Sequence, residues 1–142
     1  MTSGKKLLHT LLKNIHASRL SIQSISDTAM DPSLRSILRA QLRELDAIET
    51  ETHRIACRRG LELPEPDPVF GFFTKKLTRL RLVGNRSESN ITAILIRRNT
   101  NGAIHGLRCL HRIALEDIPL RILCQKFLDC ETAGIQQMQR FL

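Results

Sequence analysis

Apolar residues recur along this chain at the spacing of an α-helix over four long stretches, and that rhythm is what most restricts the folds open to it. Leu8, Leu11, Leu12, Ile15, Ile22, Ser26 and Ala29 share one face of a helix expected from about Lys6 to Ala29. Asp31-Pro32 then marks a new start, since aspartate suits an N-cap and proline the first helical position. The second stripe, Leu34, Ile37, Leu38, Leu42, Leu45, Ile48, Thr52, Ile55 and Ala56, runs without a break to a C-terminal stop at Gly60. Ser87 or Ser89 can cap a third helix, whose stripe is Ile91, Leu95, Gly102, Gly106, Cys109 and Ile113. Asp117 and Pro119 open a fourth, lined by Leu120, Leu123, Phe127, Glu131, Gly134, Met138 and Phe141.

Between the second and third helices the pattern breaks. The segment 61–68 (LELPEPDP) carries three prolines and three acids and cannot be helical. Helical spacing returns in Val69, Phe72, Phe73, Leu77, Leu80 and Val83 and is interrupted at Gly84-Asn85, which predicts a short accessory helix. The expected fold is therefore all-α, an up-down four-helix bundle with one crossover connection and a short accessory helix. The 142 residues, 42% hydrophobic, suit a single domain over 1–142 with one core. The chain has no Trp, no Tyr and five Phe, so that core must be built from Leu, Ile, Met and Ala.

The region from Asn14 to Gly60, the Ser87-x-Ser89-x-Ile91 opening of the third helix with Gly102 beyond it, and the closing Cys130-Glu131-x-x-x-Ile135-x-x-Met138-x-x-Phe141-Leu142 resemble an uncharacterised ferritin-like family of small Firmicute proteins. The resemblance implies a ferritin-like bundle in a bacterial cytoplasm. It does not imply ferritin chemistry, because fold and function separate freely.

Two glutamates, Glu49 and Glu131, fall on inward stripes. Dinuclear carboxylate sites in such bundles take a glutamate from each of two helices and a Glu-x-x-His pair from each of the other two. Here Glu49 is followed three residues on by Thr52, and Glu131 by Gly134. His53, four residues after Glu49, sits at the stripe's edge. The first and third helices place Arg19 and Arg98 inward where carboxylates would be needed. Three arrangements remain open from the sequence: a core charge network of Arg19, Glu49, Arg98 and Glu131 joined by guanidinium forks; arginines that snorkel outward and leave the glutamates to other partners; or iron or manganese held by Glu49, His53 and Glu131.

No HExxH, Walker-type loop or nucleophile elbow occurs, so no catalytic residues are assigned and an enzyme is not the favoured reading. His9, His16, His105 and His111 read as boundary residues. Cys57, Cys109, Cys124 and Cys130 lack CxxC spacing, and no signal-like segment precedes them, so reduced thiols in a cytoplasmic protein are expected. The apolar runs are too short for a transmembrane helix. The formal charge of +8 admits an anionic partner. Lys75, Lys76, Arg79, Arg81 and Arg86 form a basic surface on and after the accessory helix, suited to a polyanion or simply to solvation. With no Tyr or Trp for base stacking and no DNA-reading motif, nucleic acid is not favoured. The expected function is a metal-free bundle with a structural or interaction role and no cofactor, open to homo-oligomer formation. The alternatives are a divergent metal-binding oxidase or storage protein and a polyanion-binding module.

Overall fold

The computed structural model describes residues 3–25, 31–65 and 87–142. They form four α-helices and a terminal 3₁₀ turn, with no strand among the described residues. The helices are α1 (Gly4–Ile25), α2 (Pro32–Arg58), α3 (Glu88–Arg112) and α4 (Ile118–Met138). The expected accessory helix, the basic surface of Lys75, Lys76, Arg79, Arg81 and Arg86, and the final residues expected in the first helix lie outside the described residues.

The starts of α2, α3 and α4 are each capped by a residue the sequence nominates. Asp31 accepts from the Ser33 amide at 2.7 Å, with Pro32 at the first helical position. Ser87, rather than Ser89, accepts from the Asn90 amide at 3.2 Å. Asp117 accepts from the Leu120 amide at 3.4 Å. Such caps satisfy amides that the helix itself leaves open, at about 1 kcal/mol each. Gly60 ends α2 with φ of 65°, a left-handed conformation that costs glycine nothing. At the far end the expected continuous fourth helix tightens into a 3₁₀ turn over Gln139–Phe141, a common way for a last turn to satisfy its carbonyls.

Side-chain contacts at the helix ends fix the chain directions. Arg59, just past α2, donates to both Asp117 carboxylate oxygens at 3.0 and 2.7 Å and lies against Gly4. The start of α1, the end of α2 and the α3–α4 turn therefore share one end of the bundle. At the other end the Asp31 amide donates to Glu88 Oε1 at 3.3 Å, joining the starts of α2 and α3. The chain thus forms two antiparallel hairpins, α1–α2 and α3–α4, and the residues between Arg59 and Ser87 connect opposite ends. In cross-section α1 packs on α2 and α3, α4 also packs on α2 and α3, and α1 and α4 are diagonal.

The core is aliphatic, as composition requires. Leu8, Ile15, Ile25, Leu34, Leu45, Ile91, Leu95, Leu123, Phe127 and Met138 fill it along the length of the bundle, each essentially without solvent exposure. Burying such a side chain stabilises by about 1.5 to 3 kcal/mol, which is the main force holding the helices together. Leu61 and Leu63, in the proline-bearing connection, pack against the same core. No helix among the described residues is long and apolar enough to cross a membrane.

Candidate functional site

Glu131 is the one acidic residue fully buried among the described residues, at 2% exposure. It projects from α4 across the bundle axis, where Ser18 Oγ of the diagonal helix α1 donates to Oε1 at 2.7 Å. From α3, the Asn99 amide nitrogen reaches Oε2 and the Leu95 carbonyl, both at 3.3 Å. The opposite amide orientation would set an oxygen against those two acceptors and retain only a 3.4 Å contact to the Glu131 main-chain carbonyl. With the nitrogen so placed, the Asn99 oxygen faces the same space as Gln41 Nε2 of α2, a buried donor with no hydrogen-bond partner among the described residues. One polar side chain from each helix therefore meets in a single layer.

Two glycines make room for this layer. A Cβ on Gly102 would lie 2.7 Å from Glu131 Cδ and 2.9 Å from Oε1, and one on Gly134 would collide with the amides of Asn99 and Gln41. Gly134 stands three residues after Glu131, the position where a ferritin-like pair would carry its histidine. The space an imidazole would need is occupied by amides.

Burial dominates the electrostatics of Glu131. It raises the carboxyl to about 7, against the opposing effects of the Ser18 hydrogen bond and the Arg98 charge. Arg98 acts through space, while the hydrogen bonds come from a hydroxyl and an amide. The residue beside each arginine, Ser18 next to Arg19 and Asn99 next to Arg98, stands within hydrogen-bond reach of the carboxylate.

Glu49 lies elsewhere, in a half-open cluster between α1 and α2. Arg19 pairs with it, and Arg19 also reaches Asp46 at 2.7 Å. His16 Nε2 lies 2.7 Å from Glu49 Oε1, and the exposed His53 ring 3.8 Å from the same oxygen. Burial alone would raise the Glu49 carboxyl, but Arg19 and His16 outweigh it and hold it below the usual glutamate value. The four expected network residues are thus divided, Arg19 and Glu49 in this cluster and Glu131 at the axis, where Arg98 acts on it by charge. The sequence pattern gave no weight to His16, whose place one turn from Arg19's face was the available signal.

Among the described residues no three His, Cys, Asp or Glu side chains converge as ligands would, so Glu49, His53 and Glu131 do not form a common site. At Glu131 the donors are N–H and O–H groups beside a guanidinium charge, which suit a hydrogen-bonded carboxyl and oppose a divalent cation. His105, on α3, is held below its ordinary value by burial and by the Arg108 and Arg98 charges, and no acid or nucleophile is paired with it among the described residues. No family model, curated protein or solved structure matches the chain.

Proposed function

We propose that this chain is a metal-free, ferritin-like bundle with a structural or interaction role rather than an enzyme. The ferritin-like reading is supported by its two antiparallel hairpins whose connection joins opposite ends of the bundle, the single-crossover arrangement of that fold. The observation that carries the metal-free reading is the layer at Glu131. Its carboxyl is filled by Ser18 and Asn99, and glycines 102 and 134 hold neighbouring side chains close where ligands would have to stand.

Metal analysis tests it. Protein purified without chelator and then incubated anaerobically with ferrous iron or manganese is expected to retain well below one equivalent after desalting. Stoichiometric metal that disappears in Glu131→Ala would overturn the proposal and restore the oxidase or storage alternative.

A further inference from the structure

The seam between α3 and α4 is unusually close, and its register brings two buried cysteines together. On α3, Gly102, Gly106 and Cys109 follow one another on a single stripe. Gly102 lies against Glu131, and a Cβ on Gly106 would stand 3.2 Å from Leu128 Cβ and 3.4 Å from its main-chain Cα. Side chains that small let two helix backbones approach more nearly than usual. Continuing the same antiparallel register by three residues sets Cys109 opposite Cys124. Each thiol perturbs the other's titration, both are free, and they are 4% and 0% exposed.

From this geometry we propose that Cys109 and Cys124 are a reversible dithiol–disulfide pair that clamps α3 to α4, oxidised by exchange with a low-molecular-weight disulfide. Close backbone approach is what a disulfide demands, since its two Cα atoms must lie within about 7 Å. Both residues sit near the α3–α4 turn, Cys109 within a turn of the end of α3 and Cys124 in the second turn of α4. Helix ends open locally at low cost, which gives a small reagent access to a pair that is otherwise closed.

The Cys109 thiolate attacks one sulfur of the reagent RSSR and expels RS⁻, forming a mixed disulfide. Cys124 then loses its proton, attacks Cys109 Sγ and expels the second RS⁻. Two cysteine thiols are oxidised, one RSSR is reduced to two RSH, and the two protons pass to the leaving thiolates. The order of attack follows from the environment. The Cys124 contact draws the Cys109 thiol downward in pKa, with help from Arg112, whereas its contact with Cys109 and its burial push Cys124 upward.

Cys57 and Cys130 are internal controls. Cys57 is exposed on α2, and Cys130 is buried beside Glu131 with its thiol raised by burial and by Glu44. The experiment treats the full reduced chain with glutathione disulfide, quenches with acid, alkylates in denaturant and maps tryptic peptides without reduction. Cleavage after Arg108, Arg112, Arg121 and Lys126 separates the two cysteines into peptides 109–112 and 122–126. The expected result is a linked 109–112/122–126 species that lowers the intact mass by about 2 Da apart from any glutathione carried on Cys57, with Cys109 and Cys124 protected from alkylation, all reversed by dithiothreitol. Cys109→Ser and Cys124→Ser should each abolish the internal link. Links through Cys130 or between molecules, or four unlinked thiols while Cys57 takes up glutathione, would overturn the proposal.

Discussion

Replacing Glu131 by glutamine should make the protein more stable at pH 8 while changing it little at pH 5. The folded carboxyl titrates at about 7 and the unfolded one near 4.5. The folded state therefore keeps a proton that the unfolded chain has lost throughout the interval between those values, and stability falls as pH rises through it. At about 1.36 kcal/mol per pH unit, the loss is on the order of 3 kcal/mol by pH 8. Glutamine has nearly the shape of glutamate and no charge to desolvate. Its oxygen can take the Ser18 hydrogen bond, and the Asn99 amide can turn its oxygen toward the introduced nitrogen at the cost of its bond to the Leu95 carbonyl, a cost that is the same at every pH. Glu131→Gln should match the wild type within about 1 kcal/mol at pH 5, where the native carboxyl is already protonated, and exceed it by about 2 to 3 kcal/mol at pH 8. Urea unfolding followed by helical circular dichroism at constant ionic strength, at half-unit steps from pH 5 to 8, measures the difference directly. Parallel curves for the two proteins would refute the reasoning, because they would mean that Glu131 ionises without cost.

The Glu49 cluster should behave in the opposite sense. Its carboxyl is depressed, so its contribution is present at neutral pH and is lost as pH falls through the folded value; Glu49→Gln should cost about 1 kcal/mol or less at pH 7, given its 21% side-chain exposure, and progressively less as the pH is lowered into the acid range. Equal costs across that range, again by urea unfolding, would count against the ion pair as the source. Among the glycines, Gly102→Ala and Gly134→Ala should lower stability by about 1 to 3 kcal/mol through overpacking, even against alanine's advantage of about 1 kcal/mol in helix propensity. Gly106→Ala meets Leu128 Cβ at 3.2 Å, a tight contact but milder than those at Gly102 and Gly134, and should cost less than either, so three equal thermal shifts would contradict the packing described.

Helix positions and caps were readable because they depend on local chemistry. Asp31-Pro32, Ser87 and Asp117 act through amides two or three residues away, and the apolar stripes repeat often enough to survive a single polar interruption. The interior partners were harder. A helical wheel gives each side chain an azimuth at about 100° per residue, but neither its height on the neighbouring helix nor its reach. Arg19 and Arg98 looked inward by angle, yet their length lets them act at the margin or at a distance. Ser18 and Asn99, one residue before and one after, are short enough to stand at the axis. The clue was present in both cases: Ser18 lies three residues after Ile15 and four before Ile22, and Asn99 four after Leu95 and three before Gly102. Each is a polar residue on an apolar stripe.

Size, more than charge, decides what the centre of this bundle does. Glu131 alone on an inward stripe is compatible with a metal, an ion pair or a protonated acid, and its neighbours choose among them. Glycine at 102 brings α3 close enough to press on the carboxyl, and glycine at 134 lets the Asn99 and Gln41 amides occupy the histidine slot. A hydroxyl from the diagonal helix then closes the remaining side. The same close approach, carried along α3 through Gly106, sets Cys109 opposite Cys124 near the turn. A larger residue at any of these glycines would widen the α3–α4 seam or shift the polar layer. The hydrogen-bonded centre and the thiol pair are thus two consequences of one register, set by where α3 carries no side chain.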